Sequence, residues 1–184
     1  MKWTSVFNAI GVFLIVLGVS IGYIPENTST PHRNESYGVI QQERTCLISA
    51  IYGECRNCSE KEMEAITEVV LNRTKHKKYP STICGVVQQP KQFSFANNLS
   101  SISDVIPEFE NMKHHDKLAY AMIESLVDSK VFSGEYQGNR IIPEGTTHYH
   151  TKQMKVYPSW SKKKILVKGI DNRFLHKYYV ALNQ

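Results

Sequence analysis

The stretch Cys46-Leu47-Ile48-Ser49-Ala50-Ile51-Tyr52-Gly53-Glu54-Cys55-Arg56 decides how the chain is read. Apolar residues recur at Leu47, Ala50 and Ile51, and the next step of that helical pattern lands on Glu54. A greasy helix face therefore ends in one carboxylate. At a helix C-terminus the macrodipole disfavours negative charge, and apolar surroundings disfavour it as well. Both effects push such a carboxyl above the ~4.3 of a free glutamic acid. A carboxyl that keeps its proton near neutral pH can serve as a general acid. The plain alternative is a glutamate that ends the helix and reaches into water.

Working outward, the second helix is the best signposted. Ser59-Glu60-Lys61-Glu62 reads as a capping box, in which hydroxyl and carboxylate satisfy free N–H groups reciprocally. Met63, Ile66, Val69 and Val70 follow at helical spacing, and Pro80 lies past the end. Asn72 and Arg73 are polar where the apolar stripe should continue, which leaves them bonded to a neighbouring element or facing water. Residues 81–98 read as non-helical, with Gly85, Pro90 and Gln92-Phe93-Ser94. A third helix is expected from about Asp116 and stops by Gly134. Thr146 to His150, Ile165 to Val167 and Tyr178 to Val180 have strand character.

Upstream, no charge appears between Lys2 and Glu26, and residues 5–24 are almost wholly apolar. About 20 such residues span a bilayer. With Lys2 ahead of them, residues 1–4 are expected in the cytoplasm and residues 5–24 as a transmembrane signal anchor. A cleaved signal peptide is the alternative, although no good small-x-small cleavage site follows. Residues 25–38, rich in Asn, Ser, Thr and Pro, read as a linker, and 39–184 as one folded domain outside the cytoplasm. The Gly and Ser content of the apolar stretch also suits a helix that leaves the bilayer and frees the domain behind it.

The net charge of +5 and pI of about 9.0 favour an anionic partner, such as a wall polymer or a membrane surface. No segment joins clustered Arg to aromatics in a nucleic-acid module, so no nucleic acid is expected. Cys46, Cys55, Cys58 and Cys84 allow three full disulfide pairings, and the sequence does not choose one. Cys55-Arg56-Asn57-Cys58 is a single C-x-x-C and reads as a redox pair, half a metal site or two halves of separate disulfides.

Seven blocks, in order, resemble the cell-wall hydrolases typified by the spore-cortex-lytic enzyme SleB. Ile51-Tyr52-Gly53-Glu54-Cys55-Arg56 is similar to that family's "iyaEarg" and Val69-Val70-Leu71-Asn72-Arg73 to its "aVilNRv". The run from Tyr79 to Val87 resembles "fPstvcgVv", and Gln92-Phe93-Ser94 matches "QFS". Thr147-His148-Tyr149, Pro158-Ser159-Trp160 and His176-Lys177-Tyr178-Tyr179 resemble "tHYy", "P.W" and "H.FY". The chain departs from the family where Ala-Arg-Gly usually follows the glutamate. Here Cys55-Arg56-Asn57 stands, with the extra Cys58 behind it.

The resemblance implies a mostly helical α+β, lysozyme-like catalytic domain that acts on peptidoglycan. The bond cut would be the β-1,4 link between N-acetylmuramic acid and N-acetylglucosamine, by a lytic transglycosylase route. Glu54 is the expected catalytic acid and base, with Gln92, Ser94, His148, Tyr149 and Tyr178 as substrate-binding residues. Amide, hydroxyl and aromatic groups suit a sugar cleft, by bonding hydroxyls and stacking on ring faces. No cofactor and no metal are expected. Asp104, Glu108, Glu110 and Asp171 are the candidates for a second carboxylate. One rival is a zinc peptidase of wall peptides built on His148-Tyr149-His150, with His114 and His115 nearby in sequence. The other is a membrane-anchored, non-catalytic wall-binding protein.

Overall fold

Helix α1 runs from Pro31 to Cys55, with a proline at its first position, where a fixed φ favours the start of a helix. A computed structural model of the chain describes residues 31–133 and 140–181. The expected cytoplasmic stretch 1–4 and anchor 5–24 lie outside those residues. No helix among the described residues is long and apolar enough to cross a membrane. Residues 31–38, expected as the end of a linker, belong to α1, and the helix is exposed from Glu35 to Ile40. Its buried part begins at Cys46, and Leu47, Ala50 and Ile51 are sealed from solvent.

Helix α2 (Glu60–Thr74) lies at the centre. Ser59 caps it, its hydroxyl accepting the Glu62 N–H at 3.4 Å. The reciprocal half of the expected capping box is not made. Glu62 is buried, and its Oε1 instead accepts both the backbone N–H and the ring Nδ1 of His176, each at 2.9 Å. A partner that distant in sequence leaves no local trace, so the spacing read as a cap.

Helix α3 (Ile83–Val87) is a single turn whose free N–H groups meet the Glu43 carboxylate, with Ile83 donating at 2.5 Å. The Cys46–Cys84 disulfide ties α1 to α3 across 38 residues of sequence. A loop of that size stabilises by about 4 kcal/mol in the chain-entropy account. The other pair is Cys55–Cys58, which settles the pairing that the sequence left open. Helix α4 (His114–Val127) starts two residues before the expected Asp116 and passes into a wider turn at Asp128–Phe132. Arg44 of α1 holds both, donating to Glu124 of α4 at 3.1 Å and to the two oxygens of Asp128 in the turn at 2.6 and 2.8 Å.

The three expected strands form one antiparallel sheet, ordered β1 (Thr146–Thr151), β3 (His176–Val180), β2 (Ile165–Leu166). The domain is therefore α+β and mostly helical. Thr146 pairs with Val180 and His148 with Tyr179, so Thr147 is an extra residue that bulges from β1. A bulge leaves backbone unpaired and bends the strand. Helix α2 takes up that backbone: Asn72 donates to Thr146 O at 2.9 Å and Arg73 Nε to Thr147 O at 2.8 Å. One turn earlier, the buried Glu68 accepts the N–H groups of Ile141 and Ile142 at 3.0 and 2.9 Å. The two polar residues that interrupt the apolar stripe are thus the grip of α2 on the sheet.

Asn72→Ala strips Thr146 O of its donor and leaves Arg140, whose Nη2 donates to Asn72 Oδ1, without that acceptor. Unfolding in denaturant should show a loss of about 1–3 kcal/mol, the cost of stranded buried polar groups. An unchanged midpoint would remove the side chain from the fold's support.

Candidate functional site

Glu54 is the next-to-last residue of α1, where the buried face of that helix reaches the sheet. Gly53 before it has no side chain for a reason. A Cβ there would lie 2.5 Å from the Phe95 ring, so only glycine lets the 93–98 segment close over the helix end. That closure rests on Phe93, which is fully buried and packs its ring 5.8 Å from that of Phe95. It brings the backbone N–H of Ser94 toward the Glu54 carboxyl.

Three further groups surround that carboxyl: His176, the Tyr149 hydroxyl and Arg73. His176 is fixed from behind by Glu62 and meets the Tyr149 ring edge-on at 5.2 Å. Arg73 is buried, its guanidinium 5.4, 5.5 and 5.9 Å from the rings of Tyr79, Phe93 and Tyr149. Its Nε is used by the bulge, whereas Nη1 is sealed from solvent with no hydrogen bond. The Tyr149 hydroxyl is likewise sealed without a partner at bonding distance, yet near enough to favour the ionised form of Glu54.

Burial is the largest influence on Glu54 and raises its pKa; His176, the Tyr149 hydroxyl, Arg73 and the Ser94 N–H pull the other way and do not cancel it. The net direction is upward. The Tyr149 hydroxyl is pushed well above its ordinary value, first by burial and then by the Glu54 charge, so it stays a donor. The arrangement pairs one carboxyl inclined to hold a proton with two unpaired buried donors. It can give a proton to an oxygen, take one back, and hold an acceptor group meanwhile.

The structure brings together only part of the expected set. Glu54, Tyr149 and the backbone of Ser94 converge, and Gln92 sits half-buried on the loop that leads into Phe93. His148 does not join them. It faces another cavity, beside Trp160 and Tyr79. Tyr178 is fully buried among Phe174, Tyr149 and His176. Strand alternation cannot tell a core aromatic from a cleft aromatic. Of the second-carboxylate candidates, Asp104, Glu108 and Glu110 are exposed, and Asp171 is drawn down to about 2 by Arg173 beside it. Arg73 and His176 are the neighbours of Glu54 that sequence reasoning did not assign to the site. The signal for Arg73 was its polar place in an apolar stripe.

The H-x-H pair is engaged by the protein itself. His150 uses Nε2 with the Tyr179 hydroxyl and Nδ1 with Thr151 O, both at 2.9 Å. His148 contacts Thr147 Oγ1 at 2.8 Å through Nδ1. Ligand atoms of Cys55, Cys58, Glu62 and His176 lie within 4.8 Å of one another, but the two sulfurs are bonded to each other.

The sequence profile of a family described as Cell Wall Hydrolase matches residues 57–175, more than half of the chain. Its match begins just past Glu54. A spore cortex-lytic enzyme of Oceanobacillus iheyensis is 32% identical over 65 residues, which are 35% of this chain and 24% of that protein. The chain thus matches about a quarter of that relative's length. Among solved structures, the catalytic domain of the germination-specific lytic transglycosylase SleB from Bacillus anthracis aligns with a TM-score of 0.45 at 17% identity. It covers 76% of this chain and 94% of that one. The catalytic domain of Bacillus cereus SleB aligns at 0.46 and 19%, covering 76% and 90%.

A carboxyl raised by folding makes the folded state bind its proton more tightly than the unfolded one. Its contribution to stability is then fully present below the ordinary glutamate range and is lost as pH rises through the raised value. Glu54→Gln should therefore be more stable than the parent at neutral pH, and the gain should vanish in acid. Urea unfolding across pH measures this; a variant less stable than the parent at neutral pH would contradict it.

Proposed function

The chain belongs to the cell wall hydrolase family, and from that premise we propose that it cleaves the glycan of peptidoglycan with Glu54 as its acid. The bond is the β-1,4 link between N-acetylmuramic acid and N-acetylglucosamine. The observation that carries the reading is the upward displacement of the Glu54 carboxyl by burial, at a helix end where Ser94, Tyr149 and Arg73 converge. Glu54 protonates the glycosidic oxygen as positive charge builds at the anomeric carbon and the bond breaks. Its carboxylate then stabilises that charge. Tyr149 and Arg73 offer their unpaired donors to an oxygen of the sugar or its acetamide.

The fate of the cation depends on what else is present. Glycosidases that use water rely on two carboxyl groups, roughly 5 to 9.5 Å apart. No second carboxylate is among the groups that act on Glu54 within the described residues. The glutamates nearby in the fold, Glu62 and Glu68, are committed to His176 and to the Ile141 and Ile142 N–H groups. This supports closure by the sugar's own C6 hydroxyl, with Glu54 taking that hydroxyl's proton and returning to its starting state. A zinc peptidase built on His148 and His150 is disfavoured, because both imidazoles already serve side chains or backbone of their own sheet.

Mass spectrometry of digested peptidoglycan tests both halves of this reading. Fragments lighter by one water than hydrolytic fragments are expected, and Glu54→Gln should cut the rate by about a hundredfold to ten-thousandfold, the usual share of a general acid. Undiminished cleavage of the same bond by that variant would refute the assignment, and reducing-end products would replace ring closure with hydrolysis.

A further inference from the structure

A cavity of about 690 Å3, whose lining does not include Glu54, opens between the end of α2 and the segment 159–164. Lys75, Lys77 and Lys78 line it from the turn after α2, and Lys163 and Lys164 from the segment 159–164. No carboxylate lines it among the described residues. Lysines after a helix are common, since they complement its C-terminal dipole. That does not account for the second pair, which belongs to another element and faces the same space.

The field inside is strong enough to act on its own members. His148 is held down to about 4, first by burial and then by the charges of Lys164, Arg73 and His76. Lys164 is lowered by burial and by Lys78. At neutral pH His148 is thus an uncharged member of the lysine-rich lining. Beside it stand Trp160, with ring centres 5.0 Å apart, and Tyr79, at 6.4 Å. Aromatic faces of this kind pack on the C–H side of a polyol or sugar, and the volume falls within the usual range for ligand sites.

We propose that this cavity binds phosphate groups carried on a polyol or sugar chain, the phosphodiester polymer of a cell wall. The lysines come from two separate segments of the chain, so successive phosphates along a chain can meet more of them than one phosphate can. Trp160, Tyr79 and His148 take the carbon skeleton between them. The demand for phosphate comes from the cavity alone; the choice of a wall polymer among phosphate carriers rests on the proposed function. Such a site would hold the enzyme on its substrate's surface while Glu54 works elsewhere.

Calorimetric titration of the full-length chain with poly(glycerol phosphate) and, separately, with inorganic phosphate is the test. The polymer should bind at least about tenfold more tightly, and Lys77→Glu/Lys163→Glu should weaken it at least about tenfold, equivalent to about 1.4 kcal/mol. The same charge change placed outside the cavity, Lys152→Glu/Lys168→Glu, should weaken it less than about threefold, and Glu54→Gln should leave it unchanged. Equal losses from both lysine pairs, equal affinity for inorganic phosphate, or equal affinity for single-stranded DNA would each overturn the proposal. Because binding is read without cleavage, its failure leaves the assignment of Glu54 standing.

Discussion

Helix α2 holds backbone that its own strand cannot satisfy. Asn72 and Arg73 take the carbonyls of Thr146 and Thr147 at the β1 bulge, and Glu68 takes the N–H groups of Ile141 and Ile142. Glu62 completes the row by bonding His176 on β3. Each is buried, so each would be costly if left unmade. The bulge shifts the alternation of β1 near its start, and the side chains beyond it are aimed accordingly. Tyr149 and His176 reach Glu54 because α2 fixes both strands that carry them.

Glu54 itself works against stability. Apolar packing of α1 carries it into a place where its charge is poorly solvated, and the polar groups around it offset only part of that cost. A protein selected for stability alone would put an amide or an apolar residue there. The carboxyl stands where burial raises its proton affinity, which suits the proposed role of an acid near neutral pH. Gly53 belongs to the same compromise: it gives up helix propensity so that Phe95 can close against the helix end.

Much of the frame was legible because it is written in local patterns. The apolar face of α1 ending on Glu54, the Ser59 cap, the stripe of α2 and all three strands follow from spacing within a few residues. What stayed hidden depends on partners far along the chain. Glu62 has the position of a cap residue and the role of a buried acceptor, because His176 lies 114 residues away. The disulfide pairing, the bulge at Thr147 and the burial of Tyr178 are likewise set by how elements meet. His148 and Tyr149 are neighbours in sequence, yet one serves a lysine-lined cavity and the other the Glu54 carboxyl.

The central claim is that one carboxyl at the end of α1 keeps its proton to a higher pH than an ordinary glutamic acid. A carboxyl-carbon NMR titration of glutamate-labelled protein measures that directly, with the Glu54 resonance assigned by its absence in the glutamine variant. The account predicts that this resonance titrates above the exposed glutamates, such as Glu108 and Glu110. A midpoint at or below theirs would contradict it.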